Sequence, residues 1–275
     1  MQYPQIKQGA ILVGTSGYSY ADWMEYGFYP AGTKSAKMLP LYAEHFRITE
    51  LNNTWYQMPK ADATARRLAL VPEKFLFTVK LTRSLTHEVE PEFWARRAAE
   101  FRAGIAPLQQ AGRLLAVLMQ LPPSFTRTLE NRRYLGNLMA ALEGVPLAVE
   151  FRHKSWADDH VFAELEKRRV TLVAVDEPPL PNLFPPLDVV TNPALFYVRF
   201  HGRNSGGWHS GNMQKQFDYD YAAAELEEWI EKRIGLMARK SAVGVLFFNN
   251  HVRAQAPNNA LLMMHLLRQR GLETG

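Results

Sequence analysis

Short apolar runs, rich in β-branched and aromatic residues, recur along the whole chain. They are ILVGTS (11–16), ITELNNT (48–54), FLFTVKL (75–81), LLAVLMQLP (114–122), PLAVEFR (146–152), TLVAVD (171–176), LFYVRFHG (195–202) and VGVLFFNNH (243–251). Most are apolar on both faces rather than alternating, the pattern of parallel strands buried on both sides. Helical periodicity fills most of the intervals. In 91–112, Trp94, Ala98, Phe101, Ile105 and Leu108 fall on one face, with Pro91 suited to a first turn. The stretch 218–240 opens on Asp residues and closes on cations, as the helix dipole favours, and 258–271 has Asn caps and a terminating Gly271. Eight strands alternating with helices predict one α/β domain over residues 1–275, a single (β/α)8 TIM-type barrel. A doubly wound open sheet is the alternative, weakened because no Rossmann-type glycine fingerprint follows the first strand. The interval 178–193, PPLPNLFPPLDVVTNP, is too rich in proline for a regular helix. An irregular segment therefore replaces the helix between strands six and seven.

Barrel active sites lie at the carboxyl ends of the strands, and here polar residues collect on that side. The eight strands end, in order, at Thr15-Ser16-Gly17; Asn52-Asn53-Thr54; Lys80; Gln120; Glu150, Arg152 and His153; Asp176; Arg199, His201 and Arg203; and Asn249, Asn250 and His251. Solvated loop ends explain these poorly, because several lie inside otherwise apolar runs. Each has a structural reading too. Glu150 and Arg152 share a strand face and could be a buried pair filling the barrel top, although such pairs are poor sources of stability. Asp176 precedes two prolines and could cap a turn; His153 already lies in a turn and reads as structural or exposed.

Aromatic residues add a second signal. Trp23, Trp55, Trp156 and Trp208 lie just after strands one, two, five and seven, joined by Tyr18, Tyr20, Phe28, Tyr29 and Tyr56. They suit stacking on a sugar or nucleobase, or else a hydrophobic layer on the rim. The glycine-rich loop GRNSGGWHSGN (202–212) reads as a lid whose Arg203, Trp208 and His209 close over a ligand, or as an insertion.

Composition narrows the chemistry. A formal charge of +5 permits an anionic partner without demanding one. With no cysteine, thiolate chemistry and disulfides are excluded. A metal would have to draw on Glu150, Asp176, His201 and His251, and the interleaved cations Lys80, Arg152 and Arg199 repel a divalent ion, so none is expected. The cofactor is left unknown. The opening MQYPQIKQGA lacks a signal peptide's apolar core, and no later apolar run reaches membrane-spanning length, so a cytoplasmic protein with no membrane partner is expected.

GTSGYSYADW (14–23), FYP (28–30), ELNNTWYQMP (50–59), FTVKLTRSLTH (77–87), LMQLPPSF (118–125), VEFRHKSW (149–156), YVRFHGR (197–203) and FFNNHVRAQAPNNA (247–260) together resemble the YecE-like family, domain of unknown function 72. The resemblance spans nearly the full chain and implies a TIM-type barrel. It points to kinship with barrel sugar isomerases and nucleases of the endonuclease-four type without naming a reaction. The expected function is an enzyme acting on a small anionic, phosphorylated substrate, by phosphoester hydrolysis or sugar-phosphate isomerisation. Glu150, His201 and His251 are its expected catalytic residues. Lys80, Arg152 and Arg199 are expected to hold the anion, and Thr15, Asn52, Asn249, Tyr56 and Trp156 to line the site. A non-catalytic barrel binding nucleic acid or another ligand through the same groups is the alternative.

Overall fold

A computed structural model describes residues 4–274. Its eight strands are β1 (Ile11–Thr15), β2 (Ile48–Leu51), β3 (Leu76–Lys80), β4 (Leu114–Gln120), β5 (Leu147–Glu150), β6 (Thr171–Asp176), β7 (Leu195–Phe200) and β8 (Val243–Phe248). All pair in parallel in one sheet, running β1-β8-β7-β6-β5-β4-β3-β2. Nearly every strand residue is buried, as expected where the sheet is covered on both faces. The sheet curls into a nearly closed TIM-type barrel.

The seam lies between β1 and β2. A parallel bridge joins Ser16 to Glu50, and the Gly17 amide donates to the Glu50 carbonyl at 2.8 Å. Below them the Tyr42 hydroxyl takes the place of a ladder bond. It accepts from the Thr15 amide at 2.8 Å and donates to the Ile48 carbonyl at 3.1 Å. Gly14 permits the close approach, since a β-carbon there would collide with the Ile48 carbonyl. One side-chain hydroxyl thus satisfies two backbone groups that a slightly open barrel would orphan.

Helices cover the outside: Ser35–His45, Ala61–Leu68, Trp94–Gln110, Leu129–Ala141, Asp159–Arg168 and Gln255–Gln269. Ala98, Phe101, Ile105 and Leu108 of Trp94–Gln110 are buried, as the periodicity predicts. The helix expected over 218–240 is interrupted: Ala223–Trp229 and Gly235–Lys240 flank a π-turn at Ile230–Ile234. No helix lies between Asp176 and Leu195, where the prolines remove donors and fix φ. No helix among the described residues is long and apolar enough to cross a membrane.

Candidate active site

Strand alternation sends Glu50, Glu150, Tyr197 and Arg199 into the barrel, where branched apolar side chains ordinarily pack. Arg199 stands at the centre, 1% exposed. It donates to Glu50 at 2.6 Å, to Glu150 at 2.7 Å and to the Ser16 hydroxyl at 3.2 Å. Below it the Tyr197 hydroxyl donates to Glu50 at 2.5 Å and lies 3.2 Å from the Thr78 hydroxyl. Above it Arg152 donates to Glu150 at 2.5 Å and to Glu177 at 2.9 Å. The result is a continuous chain of alternating charge, Glu50–Arg199–Glu150–Arg152–Glu177, crossing the barrel from β2 to the end of β6.

This arrangement fixes protonation states. Burial alone would raise the Glu150 pKa, but Arg152, Arg199 and His201 outweigh it and hold the carboxyl well below its ordinary range. Glu177 sits at the end of the chain with one oxygen unpartnered, and burial pushes its pKa up to about 7 despite Arg152. His201 is fully buried, its Nε2 lying 3.0 Å from the Arg152 guanidinium and 3.2 Å from Glu150. Burial and that guanidinium lower its pKa to about 3, so the ring is neutral.

Above the ion chain opens a cleft of about 430 Å³ at the carboxyl end of the barrel. Arg152, Lys80 and His251 reach it among polar groups from Asn52, Gln120 and Asn249, and Trp55, Tyr56, Trp208 and Phe217 form its aromatic walls. The Lys80 ammonium lies 5.1 Å from the Trp55 ring centroid. Burial, then Arg199, lower the Lys80 pKa to about 7, against the smaller pull of Glu50 and Glu150. His87 accepts from the Trp55 indole at 3.4 Å, and burial plus Lys80 bring its pKa down to about 4. His251 stacks on Tyr20 at 4.7 Å. Its Nδ1 donates to the Asn249 carbonyl at 3.2 Å, which leaves Nε2 as the basic nitrogen. Its backbone is pinned by the Trp23 indole, and Arg253 and Ala254 beyond it take left-handed φ of 54° and 55°. Such strain needs strong surrounding contacts to persist.

Of the residues singled out in the sequence, Lys80, Arg152, Asn52, Tyr56, Asn249 and His251 line the cleft. Other expectations are corrected. Glu150 and His201 lie beneath the cleft, fully buried and engaged, so neither presents a free base to a ligand. Arg199 borders the cleft, but its guanidinium is buried in the layer below, bonded to two carboxylates and the Ser16 hydroxyl, and so presents no bidentate edge to an anion. Thr15 is buried at the seam, its hydroxyl donating to the Gly17 carbonyl at 2.5 Å, and the Ser16 and Gly17 amides serve the Phe248 and Glu50 carbonyls. Trp156 is stacked between Phe151 and Phe125, at 4.6 and 5.5 Å, and belongs to the rim's hydrophobic layer. Asp176, a candidate metal ligand, is taken up by Arg203, the Tyr221 hydroxyl and the Trp229 indole. That pairing also turns Arg203 away from the cleft.

In this structure Trp208 and His209 of the 202–212 loop form part of the cleft wall. Asn204 ties it to the Lys215 carbonyl at 2.8 Å, and Trp208 is 6% exposed, 5.8 Å above the Arg152 guanidinium. No three His, Asp or Glu side chains among the described residues gather as metal ligands do.

Sequence reasoning missed Glu50, Tyr197, Glu177 and His87. Glu50 stands alone in the apolar run ITEL, and Tyr197 is two residues before Arg199 on the same strand face; both signals were present.

The family model described as protein of unknown function DUF72 matches residues 12–274. The chain belongs to that family. UPF0759 protein YunF of Bacillus subtilis (strain 168) is 29% identical over 271 residues, covering 94% of each chain. A DUF72 family protein of Thermotoga maritima MSB8, known from its crystal structure, is 35% identical with a TM-score of 0.85, covering 94% of this chain and 99% of the other. A DUF72 crystal structure from Enterococcus faecalis V583 has 28% identity and a TM-score of 0.84, covering 94% and 95%. The DUF72 description assigns no reaction, so the chemistry has to come from the side chains.

Proposed function

We propose that the cleft is the active site of an enzyme acting on a small anionic, phosphorylated substrate. The observation that carries this reading is the meeting of Arg152 and Lys80 on an aromatic-walled cleft of about 430 Å³. Arg152 engages Glu150, Glu177 and His201. A guanidinium has five N–H groups, so donors remain for phosphate oxygens. Lys80, Asn52 and Asn249 supply further contacts, and Trp55 and Tyr56 offer faces for a sugar. The ion chain beneath plays a positioning part: Glu150, held by both guanidiniums, fixes where Arg152 presents its free edge. His251, with Nδ1 held by a carbonyl, transfers protons through Nε2. Of the two reactions expected from the resemblance and the candidate residues, sugar-phosphate isomerisation suits the groups better. It needs a weak base and a polarising cation near a carbonyl, and those are what line the cleft.

Calorimetric titration with inorganic phosphate and phosphorylated sugars tests this. Arg152→Met should lose about 1.5–3 kcal/mol of binding, the usual worth of a hydrogen bond to a charged group. Unchanged anion affinity in that variant, with several kcal/mol lost in stability, makes Arg152 purely structural and removes the anion site. A steep fall of affinity with salt for oligonucleotides, with none for phosphorylated sugars, favours the nucleic-acid-binding alternative instead.

A further inference from the structure

Lys80 is the one cleft cation whose circumstances fit poorly with a simple anion clamp. Arg152 and Arg199 each hold two carboxylates, whereas among the described residues no carboxylate lies within ion-pair distance of the Lys80 ammonium. The lysine is half-buried at the end of β3, its carbonyl accepting from the Thr54 hydroxyl at 2.6 Å and its amine lying over Trp55. Burial first, and then Arg199, disfavour its charged form. Its neighbour His87 is neutral, its Nδ1 facing the Trp55 indole N–H and the Thr86 hydroxyl, so it offers Lys80 no countercharge. An amine desolvated beside other cations is the usual setting of a lysine nucleophile.

We propose that Lys80 forms an imine with the substrate, which makes the substrate an anionic aldehyde or ketone. The inference rests on the cleft being the substrate site. The Nζ lone pair attacks the carbonyl carbon, the C=O π pair passes to oxygen, and a carbinolamine forms. The carbinolamine oxygen then departs as water, carrying the two protons that the amine gives up, and C=N closes. No oxidant or reductant is consumed. The imine withdraws electrons from the adjacent carbon, which favours proton loss or carbon–carbon cleavage there. Arg152, beyond the reacting centre, holds the anionic group.

The test is reductive trapping on the full-length protein. Glyceraldehyde 3-phosphate and dihydroxyacetone phosphate are incubated with sodium borohydride, which reduces any imine to a stable secondary amine, and adducts are located by peptide mass mapping. Binding of both probes is measured separately by calorimetry. The expected result is a predominant adduct on Lys80 that is lost in Lys80→Arg. Its formation rate should rise with pH through a midpoint near 7, whereas adducts on exposed lysines should follow ordinary amine titration. Arg152→Met should slow trapping at Lys80 at least tenfold at sub-saturating probe and leave the exposed lysines unchanged. Arg152-dependent binding of the probes with no Lys80 adduct overturns the imine and spares the anion cleft. Equal labelling of wild type and Lys80→Arg overturns it as well. If neither probe binds and no Lys80 adduct forms, the cleft reading fails and the imine with it.

Discussion

Replacing Lys80 with Met should stabilise the protein, and by an amount that depends on pH. The lysine pKa falls from 10.5 in the unfolded chain to about 7 in the fold. At about 1.4 kcal/mol per tenfold change in proton affinity, keeping the ammonium folded costs about 5 kcal/mol at most. The Trp55 face, 5.1 Å away, returns about 1 kcal/mol to the charged form. Local relaxation lowers the remainder, so a gain of about 2–4 kcal/mol is expected for Lys80→Met at pH 6. The sign follows from linkage. Between pH 7 and 10.5 the unfolded state binds the proton and the folded state does not, so wild-type stability rises with pH across that window relative to the variant. Below pH 7 both states are protonated and the full cost applies; above 10.5 neither is, and the difference disappears. Urea melts of both proteins from pH 6 to 10 measure this directly. A difference that stays constant over that range refutes a buried, depressed lysine, and removes one support of its role as nucleophile.

Three further outcomes follow from the same geometry. Arg199→Met leaves Glu50 and Glu150 buried without their shared partner, so denaturant melts should show a loss of about 3–5 kcal/mol. Tyr42→Phe removes the hydroxyl bridging the barrel seam and strands the buried Thr15 amide; a loss of about 1–3 kcal/mol is expected, with faster hydrogen exchange at Thr15 than at its neighbours in β1. Nitrogen-detected NMR should find the His201 ring neutral from pH 8 down to pH 5, since burial and Arg152 lower its pKa to about 3; a ring that titrates near 6.5 refutes that arrangement.

Periodicity carries most of the fold: runs that are apolar on both faces become parallel strands, and the prolines of 178–193 keep β6 and β7 free of an intervening helix. The seam was not legible. Nothing about Tyr42 within its helix marks its hydroxyl as a substitute for sheet hydrogen bonds, because that role depends on how far the barrel stays open. The site was legible as a set of strand ends but not as depths. Parity places Glu150 and Arg152 on one face, yet one residue pair along a strand separates a buried layer from a cleft floor. Glu150 and Arg199 therefore lie one layer lower than an anion clamp needs, and Glu50, hidden in ITEL, takes the guanidinium that a ligand was expected to use. Trp156 and Thr15 were misread for a related reason. Thr15 does end β1 and Trp156 does follow β5, but Trp156 packs onto Phe125 and Phe151, and Thr15 turns into the seam.

The buried ion chain makes poor sense as a stabilising device, because well-packed apolar side chains serve a barrel interior as well or better. Its effect on the cleft is more telling. Glu50 and Glu150 sit close enough to raise the Lys80 pKa, and left unpaired they would hold that lysine as an ammonium. Arg199 occupies both carboxylates, and Arg152 occupies Glu150 again together with Glu177. The Arg199 guanidinium stays charged, pushed above its ordinary value by the two carboxylates in spite of burial. With the carboxylates engaged, burial first and Arg199 next carry the Lys80 amine toward the neutral form. A barrel that needed only to bind an anion would gain from an uncompensated Arg199 pointing upward. One that needs an uncharged amine beside an anion site needs the carboxylates below to be engaged, and that is the arrangement these residues adopt.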